Sequence, residues 1–264
     1  MASIFIEPKD KEDYTAVLER LERAVMVGQK LTDPSMKRIF SRKEMDANRA
    51  DLIENCIVLC QVCRKKGGLS RLSQAVRMIN MAMDYNRQWK KKWFAGDLEL
   101  QLAWCYWEIG EIYACNFRNS GNSADFEQTV DVWQKAIRLG KSIFRHGYVE
   151  DAQVFLAAWI EMLGELYMNQ GQVKKGGKLY AQGLIYARAV QCCHTTAAKD
   201  CLLQALYLSG THPLTVWEQK KADLTEAMAL AENLFSETGD MIYYTGISQL
   251  KETMVWQEKK ILEK

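Results

Sequence analysis

Proline is scarce in this chain: three in 264 residues, at Pro8, Pro34 and Pro213. Proline breaks a helix because it lacks the amide proton and its ring collides with the preceding turn. The long stretches between these positions therefore carry no such block. No apolar run approaches the roughly 18 residues of a membrane span. The opening MASIFIEPKDKED lacks the basic start and apolar core of a secretory signal, so the expected location is cytoplasmic and reducing. Charge of one sign is also lacking. With 35 basic and 33 acidic residues the net charge is +2, and any contact with nucleic acid or membrane must be local. The three histidines, His146, His194 and His212, fall at expected helix ends or turns and stand in no nucleophile or metalloprotease motif. No pair of carboxylates is singled out by spacing. The expectation is a chain that is not an enzyme and holds neither cofactor nor metal.

Between the prolines lie Ala, Leu, Met, Glu, Lys and Gln, the better helix formers. From Asp10 to Lys30, the residues Tyr14, Val17, Leu18, Leu21, Ala24 and Val25 recur every three or four positions, as one buried helix face requires. A short segment with Met36, Ile39 and Phe40 follows, then a helix from Asp46 to Lys66 that Gly67 and Gly68 end. Ser70 opens the next, running toward RQWKKKW at Arg87 to Trp93. Further helices are expected over Leu98–Phe117, Asp125–Phe144, Glu150–Gln170, Val173–Cys192, Ala197–Ser209, Thr215–Thr238 and Met241 to the end. A polar loop, RNSGNSA, separates the first two of these, Gly171 makes a tight turn, and Gly210 to Pro213 breaks the chain. Trp104, Trp107, Trp133 and Trp159 mark the centre as the best-packed core. Short connections make neighbouring helices antiparallel, and a long file of such pairs is a bundle or a solenoid.

Repetition favours the solenoid. Ile160, Leu163, Gly164 and Tyr167, followed by Gly171, Gly176, Tyr180 and Gly183, form a spacing that resembles the tetratricopeptide repeat. Tyr106, Ile109, Gly110 and Tyr113, with Trp133 and Ala136, fit the same spacing if the connecting loop is longer. Cys56, Leu59, Cys60 and Cys63 with Gly67 and Val76 are a weaker third match, and the C-terminal pairs keep the periodicity without the signature. The anchors recur about every 40 to 55 residues against the family's 34, so longer helices or longer turns are implied. The resemblance implies an all-α, right-handed α-solenoid of antiparallel helix pairs, ten or eleven helices in one domain spanning 1–264. Its best units are 98–145 and 150–192, with divergent ends at 1–95 and 196–264.

The resemblance further implies that small residues sit where paired helices touch, and that the first helix of each pair lines a concave, protein-binding surface. On that basis Trp107, Glu108, Glu111, Glu161 and Glu165 are the candidate partner-binding residues, Trp107 as an aromatic platform. Where the family grips a C-terminal carboxylate with Lys, Arg and Asn, this chain has Glu, Trp and Met. The expected function is a scaffold or adaptor, and the expected partner is a protein or peptide with basic and apolar side chains.

Other patterns carry competing readings. Arg87, Lys90, Lys91 and Lys92, bracketed by Trp89 and Trp93 and joined by Arg64, Lys65 and Lys66, combine charge with aromatic faces as a nucleic-acid contact would. A basic helix end explains them more simply. GQVKKGGK at Gly171 to Lys178 resembles a phosphate-binding loop, but its glycine spacing is off, Leu179 replaces the required hydroxyl, and no strand precedes it. Among the eight cysteines, Cys56, Cys60 and Cys63 fall at i, i+4 and i+7 and read as small buried side chains. Cys192, Cys193, His194 and Cys201 leave a metal open. The wealth of Trp, Met and Cys leaves self-association, or a place as a structural subunit in a larger assembly, as a third reading.

Overall fold

The computed structural model describes residues 11–88, 95–146, 150–190 and 195–262. Among them there is no strand. Ten α-helices follow one another: α1 (Lys11–Leu31), α2 (Arg42–Lys66), α3 (Leu69–Arg87), α4 (Ala95–Ser120), α5 (Ser123–His146), α6 (Glu150–Asn169), α7 (Val173–Val190), α8 (Thr196–Thr211), α9 (Trp217–Thr238) and α10 (Met241–Leu262). A 3-10 turn, Pro34–Arg38, stands between α1 and α2, with proline where a missing N–H costs nothing.

The helix ends are written in the sequence. Ser41 and Glu44 form a reciprocal capping box before α2, the Ser41 N–H donating to Glu44 Oε2 at 2.8 Å and the Glu44 N–H to Ser41 Oγ at 3.3 Å. Thr195 accepts from the Ala198 N–H at the start of α8. Gly121 and Gly171 turn α4 into α5 and α6 into α7 with φ near +70°, a conformation that costs a side-chain-bearing residue but not glycine. The expected RNSGNSA loop shrinks to Gly121 and Asn122. Arg118, Asn119 and Ser120 continue α4, and the Asn122 carboxamide caps α5 by accepting from the Ala124 N–H. The long repeat spacing is therefore taken up by long helices, 26 residues in α4 and 24 in α5, and not by a surface loop.

Packing divides the chain into two compact units, Met1–Leu139 and Gly140–Lys264, and the division falls inside α5. In the first, each helix from α1 to α4 lies on its sequence neighbour, and α2 also reaches α4. In the second, the same holds from α6 to α10, and α6 also reaches α8. Contact between the first helices of successive pairs is what stacked pairs produce. The first core gathers Leu52, Ile53, Cys56, Leu59, Cys60, Ile79 and Leu98; the second gathers Leu184, Leu202, Leu206, Leu224 and Ala227.

One device recurs at the seams. A glycine on one helix receives a large side chain from the helix that follows it. A methyl group at Gly110 would stand 2.3 Å from the Trp133 indole, at Gly164 2.8 Å from the Tyr180 ring, at Gly210 2.6 Å from Leu224 Cγ, and at Gly28 3.0 Å from Leu52. The indole of Trp133 also donates to the Trp107 carbonyl at 3.1 Å and stacks on the Trp107 ring with centroids 4.4 Å apart. Gly210, read from the sequence as a chain break, lies inside α8 and repeats this fit in the C-terminal pair, where the signature had not been visible.

These contacts rank three substitutions. Gly110→Ala should lower stability by about 2–3 kcal/mol, as overpacking does, and Gly164→Ala by about 1–2 kcal/mol. Gly246→Ala meets nothing within 4 Å in ordinary helical backbone and should raise stability by about 0.5–1 kcal/mol. Urea unfolding of the three variants checks the order; equal effects at all three positions would refute the close fit.

Candidate functional site

In the first unit a continuous stripe runs along α4 through Gln101, Trp104, Glu108 and Glu111, spaced as one helical face requires. Arg64 of α2 reaches across to it. Its Nη1 donates to Gln101 Oε1 at 2.9 Å, its Nε and Nη2 donate to Glu108 Oε1 at 2.9 and 2.6 Å, and its guanidinium lies 5.2 Å from the Trp104 ring centroid. This pair is mostly buried, and a forked, charge-assisted contact of this kind fixes both side chains. Glu108 Oε2 is nevertheless shut off from water without a hydrogen-bond partner among the described residues, and so is Glu111 Oε1. Burial raises the Glu111 carboxyl above the usual carboxylate range, with Arg118 pulling the other way.

The second unit carries the matching stripe on α6. Counting from the seam glycine, Phe155 stands where Gln101 does, Met162 where Glu108 does, and Glu165 where Glu111 does. Phe155 and Met162 are exposed by 37% and 38%, large values for apolar side chains, and Glu165 is exposed beside them. Phe155 stacks on the buried Trp159 at 6.4 Å. This stripe is apolar with one acid at its end.

Trp107 and Glu161, expected on the open surface with the other three, are buried, at 6% and 4% exposure. Each precedes its seam glycine by three residues, and that step stays on the glycine's own face, turned to the partner helix. Trp107 is thus one half of the Trp107–Trp133 stack and not an exposed platform. Glu161 lies in a slot left by Gly183, where an added methyl would come within 2.7 Å of Glu161 Cγ. Its Oε1 has no hydrogen-bond partner among the described residues, and burial pushes its carboxyl up to about 8. The same spacing places Gln101, Trp104 and Met162 on these stripes, but their residue types carry no signal of their own beside the acids. Nothing in the sequence pointed from Arg64 to Glu108.

The competing sets fare differently. Arg64 is engaged by Glu108, Lys66 lies over the Tyr14 ring at 5.8 Å, and Arg87 pairs with Asp84 at 3.0 Å. Lys90, Lys91 and Lys92, with Trp89 and Trp93, lie outside the described residues. So do Cys192, Cys193 and His194. Cys201 is buried, its thiol donating to the Val154 carbonyl at 3.6 Å and pushed up to about 12 by burial. Among the described residues no three His, Cys, Asp or Glu side chains gather closely enough to hold a metal. Cys56, Cys60 and Cys63 are free and buried, Cys60 Sγ resting 3.5 Å from Cys105 Sγ. Gly176 and Gly177 lie inside α7, the first packed on Met168 of α6 and the second on His212; neither opens a phosphate loop. No described helix is long and apolar enough to cross a membrane.

No protein-family model matches the chain, and no curated protein matches it in sequence. Among solved structures, BtubC (BKLC) from P. vanneervenii is 15% identical, covering 95% of this chain and 91% of its own, with a TM-score of 0.46. The S. pombe nuclear import adaptor Nro1 is 10% identical over 91% of this chain and 99% of its own, with a TM-score of 0.41. The yeast histone chaperone Hif1, described as a scaffold protein, is 12% identical over 92% and 96%, with a TM-score of 0.40. Scores this low carry no function across.

Glu161 makes stability depend on pH. The unfolded chain loses this proton near 4.5, whereas the folded chain holds it to about 8. Across that window the unfolded state binds fewer protons, so stability falls as pH rises, by up to ~1.4 kcal/mol per pH unit, and the slope ends once the folded state ionises too. Glu161→Gln should match the parent near pH 4.5 and exceed it in Tm by several degrees at pH 8. Parallel Tm-against-pH curves for the two proteins would contradict the assignment.

Proposed function

We propose that this chain is a non-catalytic interaction scaffold in which the α4 stripe of the first unit and the α6 stripe of the second each, independently, receive a protein segment with basic and apolar side chains. The observation that carries this reading is the pair of carboxylate oxygens on α4, Glu108 Oε2 and Glu111 Oε1, buried without a hydrogen-bond partner among the described residues. Leaving a buried polar group unsatisfied costs about 1–3 kcal/mol, more when it is charged. A Lys or Arg brought by a partner removes that cost, because its N–H groups donate where nothing now donates. Trp104, whose ring centroid lies 5.2 Å from the Arg64 guanidinium, adds aromatic area beside these acids.

The α6 stripe of the second unit supports the same reading by itself: Phe155 and Met162 offer apolar contact area, and Glu165 repeats the acid of Glu111. A segment laid along a helical surface, extended or helical, is an established mode of recognition. The likeness to tetratricopeptide arrays belongs to this reading, with the first helix of a pair turned to the partner and the second holding it through the glycine seam. Trp107 and Glu161 act behind the surface in this scheme, shaping α4 and α6 without touching the partner.

Panning a random peptide library on the purified chain tests the proposal. Recovered peptides should be rich in Lys or Arg with interspersed aliphatic or aromatic residues. Glu111→Lys and Glu165→Lys should each weaken their binding about tenfold, equivalent to 1.4 kcal/mol. Glu19→Lys, an exposed acid on α1, should leave it unchanged. Peptides without basic bias, or affinity indifferent to both reversals, would sink the reading.

A further inference from the structure

Residues 37–43 read KRIFSRK: four cations and no acid, in the connection between α1 and α2. Lys37, Arg38, Arg42 and Lys43 are all exposed, and none of their side chains has a hydrogen bond or ion pair among the described residues. The acids nearest in sequence are committed elsewhere. Asp33 accepts from the Ser35 N–H and hydroxyl, Glu44 accepts from the Ser41 N–H and hydroxyl, and Asp46 pairs with Arg49 at 3.4 Å. Between the two pairs of cations stands Ile39, exposed by 70%, more than any other large apolar side chain described, with Phe40 half-buried beside it.

The segment is held in shape. Pro34 opens the 3-10 turn, the Ile39 and Phe40 N–H groups both donate to the Met36 carbonyl at 2.8 and 2.9 Å, and the Ser41–Glu44 capping box starts α2. A contact made through these side chains therefore orders little further backbone. The segment has the basic and apolar chemistry assigned above to the occupant of the α4 stripe, but it cannot reach the stripe of its own chain. Cys60 Sγ rests 3.5 Å from Cys105 Sγ and Arg64 meets Glu108, so α2 and α4 run parallel with these levels side by side. Arg42, in the first turn of α2, is about 33 Å along the helix from the level of Arg64, several times the length of an arginine side chain, and Glu111 lies further on in the same direction.

We infer that the 37–43 segment of one copy of this chain docks on the α4 stripe of another. Arg38 and Arg42 donate to Glu108 Oε2 and Glu111 Oε1, and Ile39 lies against Trp104. The inference rests on the α4 reading above and names its partner. Guanidinium groups suit this place, since their forked donors keep their charge when desolvated. The α6 stripe carries one acid at its end and the α4 stripe carries two, which assigns the segment to α4. A net charge of only +2 leaves little repulsion between copies. Each copy offers one segment and one stripe, so the contact joins unlike surfaces.

Sedimentation of the full chain tests this. The weight-average mass should rise with concentration at low salt and return toward that of one chain as salt rises. Arg38→Glu combined with Arg42→Glu should weaken association about tenfold or more, and so should Glu111→Lys alone. Lys251→Glu, at an exposed position on α10, should leave it unchanged. The doubly reversed chain keeps its stripe and the Glu111→Lys chain keeps its segment. An equal mixture of the two should therefore regain association and stop at a pair, which also shows that both are folded. Reversals that leave the parent's association intact overturn the inference, and so does a mixture that stays monomeric. A parent chain that is monomeric throughout, yet binds library peptides in a way that Glu111→Lys abolishes, removes the second copy as partner and leaves the α4 reading standing; loss of peptide binding as well removes both. A monomeric chain captured by vesicles of phosphatidylcholine and phosphatidylserine, and released by the Arg38 and Arg42 reversals, assigns the segment to an anionic lipid surface and overturns the inference too.

Discussion

The backbone of α4 at Gly110 runs so close to the Trp133 indole that a single methyl group has no room between them. The rest of the arrangement follows from that contact. Bringing α5 against α4 at this distance lets the indole donate to the Trp107 carbonyl and lie flat on the Trp107 ring, so two large aromatic surfaces leave water in one step. The same fit at Gly164 with Tyr180, and at Gly210 with Leu224, sets the approach of α7 to α6 and of α9 to α8. Because the faces turned to the later helices are settled in this way, the opposite stripes of α4 and α6 are left to face something else.

Those stripes differ in how they meet the cost of exposure and burial. On α4, Arg64 satisfies one oxygen of Glu108 and leaves the other, with Glu111 Oε1, in a desolvated position. On α6, Met162 stands in place of Glu108 and Phe155 in place of Gln101, both apolar and open, while Glu165 stands in place of Glu111. Unsatisfied acceptors and exposed apolar area are both unfavourable in the isolated chain, and both are relieved by a bound segment of matching chemistry. Glu161 shows the contrast: also buried and lacking a partner for one oxygen, it is turned to α7, and its slot against Gly183 has room only for itself. Its strain is resolved by holding a proton.

Much of this was legible in the residues. The helix succession was, because apolar spacing, Gly67, Gly171 and Gly239, and the scarcity of proline all act locally. Gly110 with Trp133 and Gly164 with Tyr180 were legible as a repeat because both partners are distinctive residue types. Gly210 with Leu224 was not, since leucine at a helical position carries no signal and a glycine next to Thr211 and Pro213 reads as a break. The sides of the helices were only half legible. Glu108, Glu111 and Glu165 fall on the stripes, but Trp107 and Glu161 fall on the seam, and a step of three residues decides between the two. The link from Arg64 to Glu108 is a contact between non-adjacent helices, and no local pattern encodes it.

The most direct measurement of the central claim is hydrogen–deuterium exchange of the chain with and without a saturating basic-apolar peptide recovered by panning. Slower exchange is expected along 95–120 and 150–169, the spans of α4 and α6, with α1 and α10 unchanged. Protection confined to other helices, with α4 and α6 exchanging as in the free chain, would contradict it.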